Sequence, residues 1–506
     1  MMKNKIKYLV FFIALFAILV QIFVYTGNNY LYKTNDSFSY LEGAENIIKG
    51  KGFTEYNINP NTSEVLRRIN LFQPLYSYFA AFFIKLFHIT SEQSLLIINS
   101  IAWIIIFIFW YFLGIRNIQN KLLYICFTIL LIFPGYMWEY FMFGLSDILC
   151  FSLLSVYFFF CYHIIEENSF KNKLIYSVFA IFFLSASLMT RYAILPFVVI
   201  YFIWLLLIND ISWKNKFILL ATSLVILFSV YLFFINGHNS TGEAINNFLG
   251  NKNGLIYDFK RIIFVFNVFV TAVFGFPETI EKLHFIILIP FVFVILYIFR
   301  NLKKSNIKEF IRNNSFLVLL SLSIIAYFSE VLIMCLINRG VTRFGGYIRY
   351  FSFLVPIFSV LIIILYNYVI DKRLQKIILF IFVILMLGNI YQSSITYGKY
   401  INWKQKEDKV QRVMSYIKSI IDHDNTVIIS NIGKQTFYYT KISTKEITSM
   451  HYLDSNIISL KAQNKDIVFV FNKTYHLDTS WQQFATKIKS YKGQVLWDDD
   501  IYFVYK

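Results

Sequence analysis

Long apolar runs with few breaks dominate the chain, and their lengths match a lipid bilayer. Eleven of them, at 8–25, 94–115, 122–138, 148–164, 174–189, 192–208, 217–236, 285–299, 315–337, 350–370 and 377–395, read as membrane-spanning helices. About 20 apolar residues cover the hydrocarbon thickness. Only 7 prolines and 19 glycines interrupt the 506 residues, so continuous helices are easily sustained. Lys3, Lys5 and Lys7 precede the first run and no small-residue cleavage site follows it, so an uncleaved first helix is expected. Two further runs are ambiguous. Residues 71–89 hold Gln73, Pro74, Lys85 and His88, and residues 262–276 are short and lead into Pro277, Glu278 and Glu281.

The distribution of Lys and Arg arbitrates. Let the N-terminus lie inside, and let both ambiguous runs be juxtamembrane or re-entrant helices. Every short basic connector then falls on the cytoplasmic side: Arg116 with Lys121, Lys171 with Lys173, Lys214 with Lys216, Arg300 to Arg312, and Lys372 to Lys376. The opposite face receives the long first loop (26–70), the connectors 137–147 and 338–349, the region 237–261, and Arg191 at a helix junction. The tail, 396–506, emerges on that same extracytoplasmic face.

The tail has a different pattern. Val410, Val413, Met414, Ile417 and Ile421 take helical spacing on a charged segment, and strand-like runs follow at 426–430, 466–471, 493–497 and 502–505. A further helix is expected at 481–491, and the Asp498–Asp500 triplet reads as a solvated turn. The expected fold is therefore an all-α polytopic membrane domain over 1–395, with about 11–13 transmembrane helices, followed by a small α/β domain over 396–506.

Composition narrows the class. Hydrophobic residues make up 58%, aromatics 20% and charged residues 15%, far from a soluble domain's balance. That excludes an ordinary soluble enzyme, a disordered chain and a disulfide scaffold. The net charge of +18 points to cytoplasmic loops and anionic lipid headgroups, with no nucleic acid as partner. Cys126, Cys150, Cys161 and Cys335 lie in apolar runs and read as small buried hydrophobes.

Candidate chemistry begins in the first loop. Phe38, Leu41, Ala44 and Ile48 recur every three to four positions, with Glu42, Glu45 and Lys49 on the other faces. This predicts a short amphipathic helix suited to the membrane interface. Asp36 falls at or just before its first turn. An aspartate there serves as a helix cap, or as a surface carboxylate that removes a proton from a hydroxyl or amine; the two roles are compatible.

Several segments carry a resemblance. They are Asp36-Ser37 with Tyr40-Leu41, Ala44, Asn46 and Gly50-x-Gly52-Phe53; Gln73-Pro74-Leu75-Tyr76; Leu145-Ser146-Asp147; Leu188-Met189-Thr190-Arg191-Tyr192; Thr241-Gly242; and Arg349-Tyr350 with Pro356 beyond. In that order, over about 8–395, they resemble the GT-C glycosyltransferases. The narrower likeness is to the bacterial branch similar to protein mannosyltransferases and the lipid A aminoarabinose transferase. Asp147 stands where that pattern has Glu.

The resemblance implies an inverting glycosyltransferase in the bacterial cytoplasmic membrane. It would move a sugar from a polyprenyl-phosphate donor to an extracytoplasmic acceptor: a lipid, a cell-surface glycan or a protein. Asp36 is then the candidate base. Asp147 is a second acid that orients acceptor or donor sugar, and Tyr40 is a substrate-contact candidate from the first-loop motif. Arg191, Arg339, Arg343 and Arg349 are candidate phosphate partners, because guanidinium matches phosphate geometry; Arg67 and Arg68 could contact donor or acceptor phosphates. Each arginine has a plainer reading as a snorkelling helix-end charge. No cofactor or required metal is expected, although Asp36 and Asp147 could in principle hold a divalent cation. Glu330, mid-span, is expected to face the protein interior, either neutral or paired with a cation. The alternatives are an undecaprenyl-diphosphate glycan polymerase or ligase, and a lipid-linked sugar transporter without chemistry.

Overall fold

The structure, a computed structural model, describes residues 2–26, 31, 33–57, 66–69, 72–208, 211–235, 259–276, 314–337, 344–369, 371–421, 426–446, 465–473, 486–489, 494–498 and 502–505. Arg339, Arg343, the Thr241-Gly242 pair, the run at 285–299 and most of the helix expected at 481–491 lie outside these residues.

The chain begins with α1 (Met2–Thr26) and α2 (Asn35–Ile48), then the short strands β1 (Thr54–Tyr56) and β2 (Leu66–Arg68). There follow α3 (Leu75–Phe87), α4 (Ser91–Asn117), α5 (Lys121–Ile132), α6 (Met137–Met142), α7 (Asp147–Glu166) and α8 (Phe170–Leu188). A 3-10 turn (Tyr192–Ile194) leads into α9 (Leu195–Leu207), then α10 (Trp213–Ile235), α11 (Phe259–Phe274), α12 (Ser315–Ile337), α13 (Phe344–Ser352), α14 (Leu354–Tyr368) and α15 (Lys372–Ile420). The tail adds β3 (Thr426–Ser430), α16 (Gly433–Thr440), β4 (Thr444–Glu446), β5 (Asp466–Asn472), β6 (Val495–Asp498) and β7 (Tyr502–Tyr505).

Among the described residues, nine helical segments are long and apolar enough to cross a bilayer, which makes this an integral membrane protein. The two ambiguous runs become α3, of 13 residues, and α11, of 16 residues. At 1.5 Å per residue they reach about 20 and 24 Å, short of the roughly 30 Å hydrocarbon core. The run at 192–208, read as a span, is a helix of only 13 residues entered through the 3-10 turn.

The chain divides into two compact units. The first holds residues 1–31, 70–79 and 92–399. Its apolar surface sorts the helices by position. The segment Ile348–Tyr368 is 83% buried and lies at the centre of the bundle, whereas Lys5–Thr26 (22%) and Trp213–Val230 (17%) are peripheral. Phe12, Phe16 and Phe23 of α1 and Phe217 of α10 are correspondingly exposed, as lipid-facing side chains should be. Small residues set the closest helix approach. A Cβ on Gly388 of α15 would lie 1.9 Å from the Phe274 carbonyl oxygen, and one on Gly275 would lie 2.5 Å from the Gly388 backbone. Beside this crossing Asn389 Nδ2 donates to the Val273 carbonyl (2.9 Å). Membrane helices without a hydrophobic drive between them pack through such small-residue contacts and hydrogen bonds.

The second unit holds residues 32–69, 80–91 and 400–506. The first loop and the tail thus fold together. The tail sheet has strand order β4-β3-β5-β7-β6; β3 runs parallel to β4 and β5, and the other neighbours are antiparallel. Val410, Val413, Met414, Ile417 and Ile421, on the last turns of α15, pack on Ile428, Val468, Val470, Tyr502 and Val504. That is the stripe expected from spacing. The helix carrying it is continuous with the last span, because no proline or glycine breaks the chain between Gly398 and Ile420.

Candidate functional site

In the first unit, four of the motif segments converge. Cys150 Sγ and Ser187 Oγ lie 3.2 Å apart, and Ser187 Oγ donates to the Cys150 carbonyl (3.1 Å). These contacts fix the start of α7 beside the end of α8. After α8 the chain turns sharply: Thr190 Oγ1 and the Arg191 amide both donate to the Ser187 carbonyl (2.5 and 3.1 Å). Arg191 then adopts an extended conformation. Its guanidinium meets the Asp147 carboxylate as an ion pair, with Asp147 1% and Arg191 12% exposed at the side chain.

The pair is extended by α13. Tyr350 presents its ring to both Arg191 (5.2 Å from Cζ to centroid) and Arg349 (5.5 Å). Phe353, just beyond, stacks on Phe151 of α7 at 4.6 Å. The segment before α3 joins the same junction: the Leu75 amide donates to the Met189 carbonyl (3.2 Å). Tyr76 donates to Asn99 Oδ1, whose amide donates to the Phe141 carbonyl, both at 2.9 Å. Asp147, Arg191 and Arg349 are therefore brought together at the ends of three apolar helices. Two guanidinium groups lie against one aromatic ring, and one of them pairs with a buried carboxylate. Such an arrangement suits an anion with several oxygens. Glu330, the mid-span acid of α12, is partly buried, and its Oε2 meets no hydrogen-bond partner among the described residues.

In the second unit, the cap of α2 differs from the expected one. Thr34 is the N-cap: its Oγ1 accepts from the Ser37 amide (3.3 Å), while Ser37 Oγ accepts from the Thr34 amide (3.0 Å). This reciprocal capping box satisfies the orphan donors. Asp36 lies in the first turn, two positions after the cap, and is partly exposed. A carboxylate at that end of a helix is favoured by the helix dipole.

The helix is not a bare interfacial one. Phe38, Leu41 and Ala44 are buried, and Phe38 packs against Tyr438 and Tyr439 of α16 (centroids 5.3 and 6.2 Å). Glu42, expected on a solvated face, is 6% exposed and accepts from the Tyr56 amide (3.0 Å). Tyr40 is likewise buried, at 4% exposure. The rest of the first-loop motif builds the turn. Gly50 and Gly52 sit at φ +74° and +72°, where L side chains are strained. Asn46 donates to the Thr54 carbonyl (2.9 Å), and a Cβ on Gly43 would strike Phe53 at 2.7 Å.

Arg67 is engaged by Glu55: Nε and Nη2 reach Oε1 at 2.9 and 2.6 Å, and Ser39 donates to Oε2 (2.6 Å). Arg68 is exposed. Sequence reasoning missed Glu55, Glu407 and Lys33, all buried; no local pattern marks them, because their partners are distant in the chain. Among the described residues no three His, Cys, Asp or Glu side chains converge as a metal site.

The sequence matches no protein-family model and no curated protein. Its fold does match solved structures. ArnT from Cupriavidus metallidurans, bound to undecaprenyl phosphate, superposes with a TM-score of 0.60 at 10% identity, covering 97% of each chain. The same enzyme in its apo state gives 0.60 at 11% identity. The oligosaccharyltransferase AglB from Archaeoglobus fulgidus, with an inhibitory peptide and a dolichol-phosphate, gives 0.57 at 12% identity, covering all of this chain and 74% of that one. The chain therefore has the GT-C fold of these membrane glycosyltransferases.

Proposed function

We propose that the protein is an inverting glycosyltransferase that moves a sugar from a polyprenyl-phosphate donor to an acceptor hydroxyl or amine. The observation that carries this reading is the end-to-end likeness to an enzyme holding undecaprenyl phosphate. The Arg191–Tyr350–Arg349 cluster supports it, since it offers an anion site at span ends.

In this reading the acceptor heteroatom attacks the anomeric carbon as the bond from that carbon to the phosphate oxygen breaks. The acceptor proton goes to the Asp36 carboxylate. The departing polyprenyl phosphate keeps the bonding electron pair, and Arg191 and Arg349 stabilise its growing charge. Asp147 holds Arg191 in place. The exposed Arg68 is available to an acceptor or headgroup phosphate; Arg339 and Arg343 are further candidates for the phosphate by residue type alone. Tyr40, being buried, shapes the helix that bears Asp36. No metal is required. The protein lies in a bacterial cytoplasmic membrane with its N-terminus inside and the α/β tail outside.

The test is direct. Purified protein is given radiolabelled polyprenyl-phosphate sugars of several kinds, with an envelope fraction as acceptor. Transfer from one donor supports the reading and names the sugar. Donor binding and transfer both absent, with turnover of a diphosphate-linked glycan instead, would overturn it in favour of a polymerase.

A further inference from the structure

The start of α2 is held by two residues that grip the same tyrosine of the tail. Lys33, at the position just before the Thr34 cap, donates to the Tyr439 hydroxyl (2.6 Å) and to Glu407 Oε1 (3.1 Å). Its ammonium also lies 5.0 Å from the Tyr439 ring centroid. Tyr439 in turn donates to Glu407. Phe38, on the other side of Asp36, packs edge-on against the same Tyr439 ring. Asp36 therefore sits between two anchors, both on α16. The Lys33 and Glu407 side chains are each 2% exposed, so this is a closed network in a low-dielectric setting, where geometry is strongly enforced.

The anchoring extends along the loop. The Tyr56 ring stacks on Phe437 at 3.7 Å and 9°, and its hydroxyl meets Ser443 Oγ (2.7 Å) and accepts from the Thr444 amide (3.2 Å). Lys441 donates to Glu45 (3.2 Å) and Ser91 meets Tyr438 (3.1 Å). The turn of chain bearing Asp36 is thus fixed from the tail domain.

We propose that Lys33, Glu407 and Tyr439 are positioning residues: the tail domain sets the orientation of Asp36 for proton abstraction. The inference rests on the reading of Asp36 as the base. A buried ion pair is an expensive way to obtain stability, because an apolar pair of similar volume often does as well. Its contribution here is geometric. Misplacing a catalytic group by about 1 Å costs on the order of 100-fold in rate.

The experiment uses the full-length protein with three variants: Glu407→Gln, Tyr439→Phe and the double variant Lys33→Met/Glu407→Leu. Thermal midpoint, kcat, donor KM and amide exchange at residues 34–41 are measured for each. The double variant strands neither charge of the pair but removes both partners of the Tyr439 hydroxyl, so its midpoint should stay near that of wild type. Its kcat should nonetheless fall on the order of 10- to 100-fold, with donor KM unchanged. Tyr439→Phe should fall less, because the ring and the ion pair remain. Amide exchange at 34–41 should rise in Glu407→Gln. A double variant with wild-type stability and wild-type kcat would overturn the proposal, as would unchanged exchange in Glu407→Gln. If wild type itself shows no transfer, the catalytic reading fails; the exchange measurement still decides whether the network holds this turn.

Discussion

Asp147 and Arg191 form an almost fully buried ion pair, although one opens α7 and the other follows α8. Hydrogen bonds between Cys150 and Ser187 one turn below fix the meeting. Breaking a buried pair takes from the surviving charge the counter-ion it touches. Asp147→Asn should therefore cost about 3 kcal/mol of stability, read as a lowered unfolding midpoint in detergent. Asp147→Leu with Arg191→Met should restore much of the stability and none of the activity.

Arg349 lies against the Tyr350 ring, as Arg191 does. Arg349→Ala should raise donor KM roughly 10-fold or more, the worth of one charge-assisted hydrogen bond of about 1.5–3 kcal/mol. Arg349→Lys should recover only part, since an ammonium lacks the guanidinium fork. Donor titration of the three proteins checks this.

The crossing of α11 and α15 depends on glycine. With a Cβ 1.9 Å from the Phe274 carbonyl oxygen, Gly388→Ala forces two backbones apart. The expected penalty is roughly 3 kcal/mol, seen as reduced folded yield and a lower midpoint. Gly398→Ala, where a Cβ meets nothing within 4 Å, should be neutral.

Chelation is a further check. Treatment with EDTA should leave the transfer rate unchanged. Activity lost on chelation and restored by a divalent cation would require a metal site in the mechanism.

Elements defined by long-period apolar patterns were legible in the sequence. The spans at 8–25, 94–115, 148–164, 174–189 and 315–337, the α15 stripe from Val410 to Ile421 and the strands 426–430 and 502–505 match the structure closely. By contrast α16, with the sequence GKQTFYYT, shows no apolar stripe, and β4 is only three residues long. Their order comes from Tyr56 and Phe38, which lie hundreds of residues away. The same holds for the site. Span alternation could place Arg191 and Asp147 on one face, but their contact required the Ser187 turn. Capping of α2 by Thr34 was hidden because Asp36-Ser37 offers equally good capping chemistry two positions later. Lys33 and Glu407, separated by 374 positions, leave no local trace of their pairing.

The central claim is that Asp36 accepts the acceptor's proton, and one substitution tests it most directly. Thr34 caps α2 and Asp36 is partly exposed, so the near-isosteric Asp36→Asn should fold and bind donor as wild type does. With a competent polyprenyl-phosphate donor and acceptor, its single-turnover transfer rate should fall by at least about 100-fold, the contribution of a general base. Donor binding and thermal midpoint should stay unchanged. Wild-type transfer by the purified, folded variant would contradict the account and remove Asp36 as the base.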